Sequence, residues 1–333
     1  LERSNMLLTL NKQLEKIMPL ITPASVVLGV LLSIYIKDFS YLIPWVFAFM
    51  TFAGSLNSNF KSLSDVVRHP LPILAAMMLL HILMPIWAWG VGHITFPDDI
   101  FTITGIVLGM AIPTGITSFV WVSIYKGNIP LTLSIILIDT ILSPLIVPYC
   151  LSFLIGEKIE MDMVGIMKGL VGMIVLPSIL GMLLNQFLKG SVTKKLSSTL
   201  SPFSKISLGI VVMLNGAVIA PYLKNINFKL ISIILVVFFI AATGYVFSFF
   251  IGKLIRSDRD TVVSLTFSGG MRNISAGAVI AVTYFSPAVA VPVVVGMLFQ
   301  QVLASFTGYF MARYFNKKTL YIKFEGVNKN EGI

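Results

Sequence analysis

Cysteine is nearly absent from this chain. The single Cys150 among 333 residues rules out a disulfide framework and any cysteine-rich metal centre. Three dispersed histidines add no clustered metal ligands and no nucleophile with its base, so an enzyme is not expected. No G-x-x-x-x-G-K-[ST] segment occurs, which leaves out a P-loop ATPase. Charge is scarce too, at 11% of residues where soluble domains carry about 25%.

Apolar residues fill the space. They make up 56% of the chain, the mean hydropathy is +0.92, and continuous apolar runs of about 20 residues recur as membrane-spanning helices do. A transmembrane β-barrel would alternate with a period of two, and these runs do not. The expected class is an all-α polytopic membrane protein embedded in a lipid bilayer. The formal charge of +10 does not imply a nucleic-acid partner, because the basic residues are scattered over short connections. The first apolar run lacks a small-residue cleavage site and reads as a retained span.

Ten spans are expected, at roughly 18–36, 41–56, 70–92, 101–124, 129–154, 164–188, 204–223, 228–255, 261–284 and 288–314. With the N-terminus inside, 18 of the 24 Lys and Arg residues fall on the inner side and 5 on the outer. That asymmetry places both termini in the cytoplasm, on the inner membrane of the cell. Only Arg272 falls deep within a span. The basic tail 316–333 is expected to be frayed, and the chain to act as a monomer.

Ten spans divide into two halves of opposite orientation, 1–155 and 160–315. The fourth span of each is interrupted. "IPTGITSF" (112–119) contains Pro113, which removes a helical donor, and Gly115, which loosens the backbone. "SGGMRN" (268–273) puts a glycine pair before a full positive charge. Broken helices at matching places in two inverted halves point to the central site of a secondary transporter.

These segments resemble a known family. "GMRNISAGAVIAV" followed by "AVAVP" is similar to the "GMQNSGLA…AVP" pattern of the bile acid:sodium symporters. Likewise "IPTGITSFVWVSIYKGNIPLTLSIILIDTILSPLIVP" resembles that family's "CPGGTASNVMTYLAKGN…LS…TSVSTLLSP". "HPLPILAAMMLLHILMP" (69–85), "GYVFSFFIGKL" (244–254) and "FAGSL" (52–56) extend the likeness along most of the chain. The resemblance implies a panel of spans 1, 2, 6 and 7 (18–56 and 164–223) facing a core (70–154 and 228–314). Spans 4 and 9 cross in that core beside two sodium sites, and organic anions bind between core and panel.

The chain departs from the family at the cation sites. Where span 9 of the family reads Glu-Val-Gly-Met-Gln-Asn, this chain has Ser268, Gly269, Gly270, Met271, Arg272 and Asn273. The acidic ligand is gone and a permanent cation stands at the Gln position. The family's Ser-Asn ligands align with Ser118 and Phe119, its span-5 Ser and Thr with Thr132 and Ile136, and its span-3 glutamine with Leu80 or His81. Ser118, Thr132 and Ser268 remain as remnant cation positions, so sodium binding is left open and no other cofactor is expected.

Asp139 has appeared instead, spaced so that it shares a helix face with Thr132 and Ile136. An intramembrane charge costs at least about 2.5–3.5 kcal/mol on insertion scales and calls for a partner. Arg272 is therefore expected to replace a bound cation and to pair with Asp139; the alternative is that it faces the cleft and binds an acid group directly. Thr132, Ser268 and Met271 complete this charge site. Substrate contacts are expected from Thr114, Thr117, Ser118, Asn215, Asn273, Gln300 and Gln301. His81 could shuttle protons, since an imidazole titrates near neutrality, but with no carboxylate or second histidine near it in sequence it is expected as a hydrogen-bonded core histidine. The function these residues imply is secondary transport of a small organic anion by alternating access with weakened sodium coupling; alternatives are a remodelled sodium symporter, a proton-coupled carrier using Asp139 and, less readily, a passive channel.

Overall fold

The computed structural model describes residues 2–56, 70–156, 159, 161–188, 190–224 and 226–330. Every regular element among them is helical. His69, Lys61, Arg68, Lys158 and Lys189 lie outside the described residues.

Helix α1 (Glu2–Leu31) leads through α2 (Ser33–Ile36) and a tight 3-10 segment, Lys37–Leu42, into α3 (Ile43–Ser55). The stretch Ser33–Ser55 leaves Leu20–Leu31 at 84°. Helix α4 (Pro70–Thr95) comes next, with a π-helical turn at Leu79–Leu83. Then come α5 (Ile100–Ala111), α6 (Thr117–Ile124) and α7 (Ile129–Ile155). Helix α8 (Met163–Phe187) also carries a π turn, at Val171–Val175. Helices α9 (Gly190–Val218), α10 (Ala220–Lys224), α11 (Phe228–Leu254), α12 (Arg259–Gly270), α13 (Ile274–Tyr284) and α14 (Pro287–Asn330) complete the chain. The tail expected to be frayed continues α14.

Among the described residues, six helices are long and apolar enough to cross a membrane alone, with 24 to 29 residues each. At 1.5 Å per residue these exceed a hydrocarbon layer of about 30 Å. Helices α5 and α13 are apolar but too short to cross unaided. Helix α1 lies along α9, and α3 packs on α8 and α9. On the other side α11 packs on α12, α5 on α4 and α14, and α13 on α14.

The helix starts are set by short polar side chains. Asp99, Asn128, Asp162, Asn227 and Asn273 each accept a backbone N–H from the first turn of the next helix, satisfying donors that the helix itself leaves open. Asp99 does more, because Lys229 Nζ lies 2.7 Å from its Oδ2 and ties the start of α11 to the start of α5.

Partial burial pushes the Asp99 carboxyl up, but hydrogen bonds from Lys229 and Thr102 outweigh this and hold it below its ordinary 3.8. A lowered carboxylate stabilises the fold above its unfolded value and ceases to as pH falls through the folded one. Asp99→Asn should therefore melt earlier than the wild type at pH 7, and the gap should close below about pH 4. Melting curves of both proteins at the two pH values check this.

Candidate functional site

The two interruptions meet. Between α5 and α6, and between α12 and α13, the chain is extended, and Thr114 and Arg272 form an antiparallel bridge. Gly115 N donates to Met271 O at 3.4 Å, and Asn273 N donates to Pro113 O at 2.7 Å. Thr114 Oγ1 lies within donating reach of Ser268 O (2.6 Å) and Met271 O (2.9 Å). Helix breaks inside an apolar protein expose backbone groups that must find partners. Here each break supplies partners for the other.

Two further donors are caught by side chains on the helix beyond each break. Thr114 N donates to Asp139 Oδ2 on α7 at 2.6 Å. Arg272 N donates to Gln300 Oε1 on α14 at 3.2 Å.

The glycine pair is required by packing. A Cβ on Gly269 would overlap Ser248 and Leu79, and one on Gly270 would overlap the Tyr245 ring. Tyr245 in turn donates from its hydroxyl to Gln300 O at 3.4 Å. Close approach of α12 to α11 thus lets Tyr245 buttress the residue that holds Arg272 N. Gly115 is constrained too, since a Cβ there would sit 2.9 Å from Arg272 O. Gly270→Ala should cost about 1–3 kcal/mol by overpacking. A melting temperature equal to that of the wild type would contradict this account of the pair.

Arg272 is 2% exposed, and its Nη1 and Nη2 have no hydrogen-bond partner among the described residues. The expected ion pair with Asp139 does not form. Asp139, fully buried, instead places Oδ1 2.9 Å from His81 Nε2. That approach is close enough for an ion pair but lies outside hydrogen-bond geometry. The carboxylate acts on Arg272 through space only. His81 is correspondingly not the hydrogen-bonded core histidine expected, since neither ring nitrogen has a hydrogen-bond partner among the described residues.

Arg272 borders a cavity of about 230 Å³ between the crossing and helices α1, α3 and α9. Thr117, Asn273, Gln300 and Gln301 line it as expected. Gln301 is held by Trp121 Nε1, which donates to its Oε1 at 3.1 Å. Thr114 and Ser118 do not line the cavity; Thr114 staples the crossing, and the buried Ser118 hydroxyl has no hydrogen-bond partner among the described residues. Asn215 is also absent from the wall, being fully buried within α9.

Of the remaining charge-site residues, Ser268 and Met271 present carbonyls to Thr114, and the Ser268 hydroxyl is buried and unpartnered. Thr132 turns its hydroxyl back to Asn128 O at 3.1 Å. Thr132, Ile136 and Asp139 are all buried, in keeping with a shared inward face.

Five further polar residues among those described, not expected from the sequence, stand on the wall: Thr22, Thr51, Ser204, Lys205 and Ser275. Lys205 counts in the sequence only as an inner-side charge, yet its stem carries it to the cavity, where its Nζ also donates to Asn11 Oδ1 at 2.6 Å. No Asp or Glu is among the described residues that line the cavity. Arg272 and Lys205 both belong to the wall of this cavity, which places two basic residues beside it.

Comparison with known proteins agrees with this architecture. A family described as the Sodium Bile acid symporter family matches residues 44–226. The uncharacterized protein YbaS of Bacillus subtilis (strain 168) is 56% identical over 297 residues, covering 89% of this chain and 97% of its own. The uncharacterized sodium-dependent transporter YocS of the same organism is 24% identical over 289 residues, 84% of this chain and 87% of its own. The probable sodium/metabolite cotransporter BASS1, chloroplastic, of Arabidopsis thaliana is 24% identical over 289 residues, 85% of this chain and 71% of its own.

Proposed function

Because the chain belongs to the Sodium Bile acid symporter family, we propose that it carries a small organic anion by alternating access, with Arg272 supplying at the crossing the positive charge that a diffusible cation would otherwise bring. The protein is a multi-pass membrane transporter and not an enzyme. One observation supports the anion reading: Arg272, a buried cation whose Nη atoms have no hydrogen-bond partner among the described residues, belongs to the wall of this cavity. A fork of this kind suits bidentate recognition of a carboxylate or sulfonate. At about 230 Å³ the space is below that of drug-sized pockets, which favours a small solute.

Ten crossings are supported by adding the two broken pairs, and the two segments that meet at 84°, to the six long helices. Inverted halves are supported by the matching capture of Thr114 N and Arg272 N by the next helix. Helices α1, α3, α8 and α9 form the panel and the others the core, so that a substrate in the cavity touches both. This reading places a monomer in the cytoplasmic membrane with both termini inside.

The test is a melting screen of the purified protein with small carboxylates and sulfonates, each beside its uncharged amide. Acids raise the melting temperature and amides do not, if the reading holds. Equal shifts from acid and amide would overturn it.

A second reading keeps sodium. The Ser118 and Ser268 hydroxyls are buried and unpartnered near the crossing, and oxygen donors suit a hard cation. Uptake measured with sodium replaced by choline separates the two.

A further inference from the structure

A guanidinium fixed to the chain carries no ion gradient, so Arg272 can hold an anion without driving its movement. A second ionisable group lies beneath the same crossing. We propose that His81 and Asp139 form a proton-binding pair, and that a proton taken up there is linked to the anion held at Arg272. The linkage rests on the reading of the cavity as an anion site; the proton site does not.

The pair is placed by a local irregularity. His81 lies in the π turn Leu79–Leu83 of α4, a feature that often marks functional positions. Its side chain is 7% exposed and that of Asp139 fully buried, with Nε2 and Oδ1 2.9 Å apart. A proton on the pair turns this approach into an ion pair, and a small rotation of the imidazole would then complete a charge-assisted hydrogen bond. The other oxygen of the same carboxylate accepts Thr114 N at 2.6 Å, and Thr114 is bridged to Arg272 across the crossing. Protonation therefore acts one carboxylate away from the break.

The surroundings leave few competing groups. On α7, Tyr149 and Cys150 accompany His81 around a separate recess of about 460 Å³ between α4 and α7. The crossing brings Arg272, whose charge Asp139 acts on through space. Helix α11 brings Tyr245 from its middle and Lys229 and Lys253 at its ends, and α12 only Arg259 and Asp260 at its far end. Helix α5 brings none. His81 is thus the proton-accepting group between the recess and the crossing.

Charge balance supplies the coupling. With Arg272 cationic, Asp139 anionic and His81 neutral, the crossing is neutral. An anion on Arg272 leaves one uncompensated negative charge in a weakly polar interior, which is costly. A proton added to the pair restores neutrality, and linkage requires that the proton in turn favour the anion. One proton and one monoanion would bind together and leave together, with no bond made or broken besides those to the proton.

Removing the Arg272 charge mimics the anion electrically and needs no ligand. Protein labelled with 15N-histidine, in lipid nanodiscs, is monitored by NMR between pH 5 and 9, with His81→Asn assigning the signal. At a fixed pH the ratio of protonated to neutral His81 should rise about tenfold in Arg272→Gln and fall about tenfold in Asp139→Asn. Arg272→Met fills similar space should the glutamine variant not fold. A His81 signal that ignores pH, or a ratio unchanged in all the variants, overturns the proposal. Because no anion is used, failure of the acid screen leaves this result readable on its own.

Discussion

Arg272→Gln should weaken binding of whichever acid best stabilises the wild-type protein by roughly two to three orders of magnitude, the usual cost of losing one partner of a buried charge pair. The reason is geometric as much as electrostatic. Both Nη atoms are buried without a hydrogen-bond partner among the described residues, and Arg272 belongs to the cavity wall, so an acid group that reached the guanidinium would meet two donors at once. Arg272→Lys keeps the charge but loses the planar fork, and should weaken binding by only about tenfold. Isothermal titration of the three proteins ranks them. If lysine and glutamine are equally weak, the fork matters and charge alone does not; if neither differs from wild type, Arg272 does not touch the anion.

The second large effect is on stability. Asp139→Ala should destabilise the protein by about 3–5 kcal/mol, as removal of one buried charge does when it strands its neighbours. Thr114 N would lose its 2.6 Å acceptor inside the crossing, and Arg272 would lose a carboxylate that acts on it through space. Asp139→Asn retains an acceptor oxygen and should be milder. Removing Arg272 as well, as Arg272→Met with Asp139→Ala, should recover part of the loss, because the stranded charge is then gone. Denaturant unfolding in detergent measures all four. A D139A protein as stable as wild type would mean that the crossing does not depend on this carboxylate.

Both breaks were legible because their causes are local. Pro113 and Gly115 in one segment, and the glycine pair ahead of Arg272 in the other, interrupt helices whatever surrounds them. Pairing across helices was not legible. The sequence displayed an isolated cation at 272 and an isolated anion at 139 and invited their union, while His81 looked remote from any carboxylate. A π turn adds a residue to its helix turn and rotates every side chain beyond it, so the spacing that places Asp139 on α7 gives no guide to where α4 points His81. Asn215 and Lys205 failed for a different reason. Their exposure depends on how α9 is rotated against α1 and α3, which the sequence of α9 taken alone does not fix.

The central claim is that a charge attached to the chain makes a bound sodium ion dispensable at the crossing. Uptake of the stabilising acid into proteoliposomes, with sodium fully replaced by choline on both sides, tests it most directly. Uptake should proceed at the rate seen in sodium. Transport that stops without sodium, and returns in proportion to the sodium restored, would contradict the account and assign Ser118 and Ser268 to a working cation site.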